Sequence, residues 1–369
     1  MNKRRLLFWL VLACFGWVII TRTSEIEHIW ATLQEANWKW VLVAALAQFV
    51  QFSFLTQVYH TTFGTVGVSS KWRNLFPVVL GFYFVNVVTP TVGMGGVALI
   101  VDDAAQRGQS PARAAAGTAL AALGIYAALA VLLAFGLVYL AIYGTLTVLI
   151  IISAIFFVLF SGTIVYLLVL GYWREDKLSR FLYGIQRLVN RIVLRFRPEP
   201  ALDMAWSGRI ATEFTKGATA IGEKPGRLLL LLAISFGPHL ANMVTLYTLF
   251  LAFGAEYITL PVLVTGYAVG QLISVSSPTP QGIGFVETIM PAALISLGVP
   301  AATAAVVVLT YRGLTFWLPL LFGFFVLRRL KSLGGDRSNG KPPEKPTPPP
   351  VKTRLSQLPR QPEEHHEPF

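Results

Sequence analysis

Between Ala114 and Trp173 the chain carries no aspartate, glutamate, lysine or arginine. A helix that crosses the hydrocarbon core of a bilayer needs roughly 20 apolar residues, so this one stretch has room for two spans. Further apolar stretches cover residues 6–20, 40–59, 75–100, 228–255, 261–286 and 300–327. Soluble domains average about 25% charged residues; here the figure is 13%, with 54% hydrophobic. The fold class that follows is an all-α polytopic membrane protein, because a helix satisfies its own backbone hydrogen bonds inside lipid.

Charge sets the topology. The formal net charge of +12 gathers in three places: Lys3, Arg4 and Arg5 at the start, a central loop over residues 173–227, and a tail from Arg328 onward. In a soluble protein this balance would point to nucleic acid. In a membrane protein it marks loops facing the anionic cytoplasmic leaflet, so no nucleic-acid partner is expected. Both termini and the central loop then lie in the cytoplasm of the cell (inner) membrane, and an even number of crossings separates each pair. Five apolar segments precede the central loop, so one of them must enter and leave on the same side. Residues 75–100 are the candidate, because they contain Thr89-Pro90-Thr91-Val92-Gly93-Met94-Gly95-Gly96. Proline removes a helix donor and glycine is a poor helix former.

The second half repeats the pattern. Residues 261–286 are broken by Ser276-Ser277-Pro278-Thr279-Pro280-Gln281-Gly282-Ile283-Gly284. Thr89-Pro90-Thr91 matches Ser277-Pro278-Thr279, Gly96 falls where Gly284 does, and Gly108-Gln109-Ser110-Pro111 matches Gly298-Val299-Pro300 nearly in register. The expected architecture is about six full spans plus two re-entrant broken-helix hairpins. They form an inverted repeat over about 40–141 and 228–330, the pattern of many secondary transporters.

Lys3 to Arg5 followed by an apolar run would suit a signal peptide, yet no small-x-small cleavage site follows, so residues 6–20 are expected to stay as a first helix. Within the loop, Leu178, Phe181, Leu182, Ile185, Leu188, Val189 and Ile192 recur at helical spacing among basic residues, which predicts a helix on the inner leaflet. Residues 334–369 are Pro-rich and polar and are expected to be disordered. Cys14 is the single cysteine, and the five histidines show no metal-ligand spacing; no metal and no cofactor is expected. No Walker-type phosphate loop is present.

Between Arg227 and Arg328 the formally charged residues are Glu256, Glu287 and Arg312. Arg312 lies about twelve residues into a helix opening at Pro300, roughly 18 Å along it, near mid-bilayer. A lone arginine there costs several kcal/mol, and Glu287 is its nearest partner in sequence. Two readings stand side by side: Arg312 meets a lipid phosphate with Glu287 holding or releasing it, or the two form a structural ion pair that fixes the hairpin. The breaks themselves (Thr89, Pro90, Gly95 and Gly96; Pro278, Thr279, Gly282 and Gly284) present helix ends whose free N–H groups suit an anionic head group. Asn86, Asp102 and Tyr311 complete the candidate substrate-binding set. Asn86, His239 and Asn242 are also read as interhelical hydrogen-bond partners, Tyr311 as packing, and Asp103 as part of a solvated turn.

Across Asn86 to Gly96, Asp102 to Gly108, Ser277 to Glu287 and Tyr311-Arg312-Gly313-Leu314-Thr315-Phe316-Trp317-Leu318-Pro319, the sequence resembles the flippase-like membrane domain of the lysylphosphatidylglycerol synthase family, in its stand-alone form without the aminoacyl-transferase domain. It departs from many members in the helix after the first hairpin, where Ala114 to Ala141 is Ala- and Leu-rich and carries no charge. The resemblance implies movement of a lipid between leaflets, with an anionic phospholipid or a prenyl-phosphate-linked lipid as cargo, and no synthase activity. Two other readings remain: an accessory subunit partnered with a lipid glycosyltransferase, and a membrane-embedded lipid-modifying enzyme, for which no catalytic constellation is seen.

Overall fold

The computed structural model describes residues 36–88, 94–143, 145–194, 206–222 and 225–329. The expectations for the first helix, the basic N-terminus, Thr89, Pro90 and the Pro-rich tail fall outside them. Among the described residues every regular element is a helix: α1 (Trp38–Thr65), α2 (Trp72–Val88), α3 (Met94–Gln106), α4 (Pro111–Ile142), α5 (Val148–Trp173), α6 (Glu175–Leu194), α7 (Trp206–Gly222), α8 (Pro225–Ala252), α9 (Leu260–Ser276), α10 (Val286–Ser296), α11 (Ala301–Arg312) and α12 (Leu318–Arg329). A π-turn, Gly313–Trp317, joins α11 to α12 into one apolar run. Among the described residues five helices are long and apolar enough to cross a bilayer: α1, α4, α5, α8 and the joined α11–α12.

Local chemistry starts these helices where it should. The side chains of Asn37, Ser110 and Thr147 cap α1, α4 and α5 by accepting from backbone N–H groups of the first turn, which satisfies donors the helix leaves open. Pro111 stands at the first turn of α4, where its missing N–H costs nothing. Exposed Ile152, Val158 and Leu159 turn α5 outward, as a lipid-facing surface requires.

The central pair is α1 with α8. Asn37 N–H donates to the Ala252 carbonyl at 2.9 Å at one end, and Arg227 donates to the Gly64 carbonyl at 3.3 Å at the other. The two helices are therefore antiparallel. Gly237 makes the close approach possible, since a Cβ there would lie 2.4 Å from the Phe54 ring.

Each broken segment folds back on itself. In α2–α3, Gly96 lies against Asn86 and Phe82, and Arg107 reaches the Asn74 carbonyl at 3.4 Å. In α9–α10, Gly270 faces Met290 and Gly266 faces Leu294. Both hairpins thus enter and leave at one end of the bundle. The first follows the C-terminus of α1 and the second that of antiparallel α8, so they enter from opposite ends. α4 packs on α9, with a Cβ at Gly136 placed 3.4 Å from the Thr265 Cα; α12 packs on α2, with a Cβ at Gly323 placed 2.9 Å from the Leu80 carbonyl oxygen.

In the central loop the expected helix over Leu178 to Ile192 forms as α6, and the described residues add a second, α7. α6 buries Leu178 and Gln186 against α7 and leaves Phe181, Ile185 and Leu188 exposed.

Candidate functional site

The second hairpin turns through Ser277-Pro278-Thr279-Pro280. Thr279 N–H donates to Ser277 Oγ at 3.1 Å, the two hydroxyls are 2.8 Å apart, and Thr279 Oγ1 donates to the Ile283 carbonyl at 2.8 Å. The tip is thus tied to itself, and Pro278 is exposed. A short 3-10 turn, Pro280–Gly282, follows, in which Gln281 takes φ 50°. A side-chain-bearing residue pays about 1–2 kcal/mol for that region. What the strain achieves is visible: the Gln281 carbonyl accepts from Ser274 Oγ at 3.2 Å and from Arg312 Nη2 at 3.2 Å. Gly282 and Gly284 have φ of 74° and 84°. At Gly282 a Cβ would also sit 2.9 Å from the Ser274 Cα, so only glycine fits.

Arg312 is 5% exposed. Its Nε donates to Glu287 Oε1 at 2.6 Å, while Glu287 Oε2 accepts the Gly284 N–H at 2.7 Å. Glu287 stands in the first turn of α10, where the helix dipole favours a negative charge. The Phe316 ring lies 4.7 Å from the guanidinium carbon, a cation–π distance. The arginine is therefore enclosed by a carboxylate, a carbonyl and an aromatic face. The π-turn begins at the next residue. Its N–H bond from Leu318 to the Gly313 carbonyl accommodates Pro319, which has no N–H to give, and such turns are frequent at functional sites.

Next to Arg312, the buried Tyr311 hydroxyl faces Gln271 without a hydrogen bond of normal geometry. It borders a polar interior that periodicity alone does not reveal. Tyr83 lies within electrostatic range of Tyr59, Tyr126, Tyr267 and Tyr311, so five tyrosines from α1, α2, α4, α9 and α11 converge. Gln48 Nε2 donates to Asn242 Oδ1 at 3.0 Å and to Thr245 Oγ1 at 2.8 Å. His239 meets the Tyr267 hydroxyl at 2.6 Å and the Ile125 carbonyl at 3.0 Å. The sequence signal was a set of polar and tyrosine side chains inside otherwise apolar spans.

The first hairpin is plainer. Asn86 Oδ1 accepts the Gly96 N–H at 2.7 Å across the break, and Gly95 lies beside it. Asp102 is not with these residues: it is exposed on α3 and accepts from Gln106 at 2.6 Å. Beyond this hairpin, Arg113 at the start of α4 pairs with Glu213 of α7 at 3.0 Å, and Lys216 lies 2.7 Å from the same carboxylate. The Lys216 hydrogen bond and the Arg113 charge hold the Glu213 carboxyl below its ordinary value against the effect of burial.

A family model for the lysylphosphatidylglycerol synthase transmembrane region matches residues 6–323. This chain belongs to that family. The family match takes in both hairpins and Arg312. Among relatives, a UPF0104 membrane protein of Methanothermobacter thermautotrophicus is 24% identical over 315 residues, 84% of this chain and 89% of the relative. Another alignment to a protein of that name and organism gives 26% identity over 171 residues, spanning about half of the relative (48%) and 44% of this chain. A UPF0104 membrane protein of Pyrococcus horikoshii is 31% identical over 122 residues, 33% of this chain and 36% of the relative.

Proposed function

We propose that this protein is a lipid translocase, moving an anionic phospholipid or a prenyl-phosphate-linked lipid between the leaflets of the cell membrane. The observation that carries the reading is the enclosed Arg312–Glu287 pair at the strained tip of a hairpin. A buried ion pair is a poor stability device, because desolvation offsets most of the attraction. A lipid phosphate offers Arg312 the same charge and a matching pair of acceptors, since guanidinium binds phosphate bidentately. The phosphate takes the place of Glu287, whose carboxylate stays on the Gly284 N–H. When the head group leaves, Glu287 closes on Arg312 again, so the guanidinium is never left unpaired in the membrane.

The two hairpins supply the frame for alternating access. We read the halves as inverted repeats, α1–α4 and α8–α12. The antiparallel α1–α8 pair, the entry of the hairpins from opposite ends, and the matched seating of α4 on α9 and α12 on α2 support this. So does the family membership. The positive-inside rule supports a cytoplasmic central loop and cytoplasmic termini.

The test is leaflet exchange in vesicles holding purified protein, with fluorescent phosphatidylglycerol in one set and a prenyl phosphate in the other. Wild-type protein should accelerate exchange of at least one lipid, and Arg312→Ala should return it to the protein-free rate. Wild-type rates equal to protein-free vesicles for both lipids would sink the proposal.

A further inference from the structure

We propose that His239 is the proton-binding site that couples protonation to the movement of the second hairpin. The inference rests on the translocase reading and names its coupling ion.

His239 is 4% exposed, in mid α8, and both ring nitrogens are engaged. Nε2 faces the Ile125 main-chain carbonyl, which can only accept, so Nε2 carries hydrogen. In the neutral ring Nδ1 is then the acceptor, and the Tyr267 hydroxyl donates to it. On the other side, the Asn242 amide faces the Tyr267 hydroxyl. Asn242 Oδ1 already accepts from Gln48, so its proton-bearing nitrogen is the end left for Tyr267. The hydrogen bonds therefore run in one direction on either side of this contact: Gln48 of α1 donates to Asn242 of α8, whose amide faces Tyr267 of α9, Tyr267 donates to His239, and His239 donates to α4.

A proton added at Nδ1 reverses one link. His239 Nδ1–H must donate to the Tyr267 oxygen, which already faces the Asn242 amide, and the tyrosine O–H has to turn to a new acceptor. No proton is lost from Tyr267; one is gained from solvent by the ring. The bond that changes joins α8 to α9, and α9 ends at Ser276, where the tip begins. The place is suited to motion. Pro238 precedes His239 inside α8 and has no N–H, so the helix lacks a bond at this turn and can bend there.

The ring's surroundings leave it to set the charge. The titratable groups around it are Tyr267 from α9, in direct contact, and Tyr126 from α4, beside Ile125; Tyr311 from α11 and Tyr83 from α2 lie around Tyr267, and Tyr59 from α1 lies around Tyr126. Its two hydrogen-bond partners, the Tyr267 hydroxyl and the Ile125 carbonyl, are both uncharged, and Arg312 is taken up by Glu287 and the Gln281 carbonyl. Histidine is the side chain whose ordinary pKa allows it to change charge between about pH 5 and 8.

Two measurements decide it. Nitrogen-15 histidine spectra of full-length protein in lipid nanodiscs, with His239→Gln to assign the signal, should show Nδ1 of His239 binding a proton between pH 5 and 8. Leaflet exchange by wild-type protein should change by about tenfold per pH unit on one side of that midpoint, as for a step that needs one proton. His239→Gln, which keeps a donor and an acceptor, should flatten the slope. If that variant does not fold, Tyr267→Phe leaves His239 in place and should move the midpoint without removing the slope. A His239 ring whose signal is unchanged over this range overturns the proposal, as does an unaltered slope in His239→Gln. Because the spectra read proton binding without transport, a protein that titrates at His239 but moves no lipid would count against the translocase reading and not against the site.

Discussion

In the second hairpin, Arg312 and Glu287 close a 2.6 Å ion pair beneath a tip with three left-handed residues, Gln281, Gly282 and Gly284. In the first, a single amide, Asn86, bridges the break to Gly96, and its second arm carries the ion pair Arg107–Asp103 at 2.9 Å, one turn apart. The positions correspond. Twelve residues after Pro300 is Arg312, and twelve after Pro111 is Leu123; three after Gly284 is Glu287, and three after Gly96 is Leu99. Leu99 is buried and Leu123 packs on the core around the first hairpin. Where the second half spends buried charge, the first uses packing, and its post-hairpin helix keeps its charge at the end, Arg113, bonded to the central loop. The second hairpin is thus held by a buried ion pair and the first by packing and one amide, and only the second carries the charges that the proposed function uses. Desolvation makes buried charge costly, and the proposed translocase reading gives that charge an anion to meet.

The widest way to break this comparison is to remove the charge. Arg312→Ala leaves Glu287 buried and unpaired and should cost about 3–5 kcal/mol, seen as a lower thermal midpoint in nanodiscs, together with loss of exchange. Replacing both Arg312 and Glu287 by Met should recover most of the stability without recovering exchange. If exchange returned with stability, the pair would be only a brace.

Backbone comes next. Gly282→Ala needs a left-handed alanine against the Ser274 Cα and should cost about 1–3 kcal/mol, with exchange reduced because Arg312 loses the Gln281 carbonyl. In the first hairpin, Asn86→Ala leaves the Gly96 N–H unsatisfied and should cost about 1–2 kcal/mol, yet exchange by the protein that remains folded should persist. Equal losses of exchange in these two variants would contradict the division between site and scaffold.

Smaller effects test the edges. The Glu213 carboxyl is held below its ordinary value, so its contribution is complete above the unfolded-state pKa and fades as pH falls through the folded one. Glu213→Gln should cost less than about 1 kcal/mol at neutral pH, as a half-exposed pair does, and the thermal midpoint of the variant should fall less between pH 6 and pH 3 than that of the wild type, at roughly constant salt. Arg107→Ala removes an i,i+4 surface pair and should shift stability by about 0.3–0.5 kcal/mol at most.

Much of this was legible in one dimension. Span positions follow from apolar length, because lipid tolerates little else. The two breaks follow from proline and glycine, whose effect on a helix is local. Arg312 and Glu287 could be paired on sequence because they are the membrane charges of the second half, and an isolated charge there has nowhere else to go. The internal match of the halves was readable at the breaks, and charge counting predicted that each would turn back on itself.

Sequence by itself determined where the chain crosses, where it turns and which charges need each other. Only the tertiary structure decided which polar side chains share a bond. Asp102 sits near the first break in sequence but ends exposed on α3, because helical phase put it on the outer face. His239 and Tyr267 lie 28 residues apart, Arg113 and Glu213 lie 100 apart, and Gln48 and Asn242 lie 194 apart. Such pairs depend on the rotation and depth of helices packed from distant parts of the chain, to within the few ångströms over which a hydrogen bond holds.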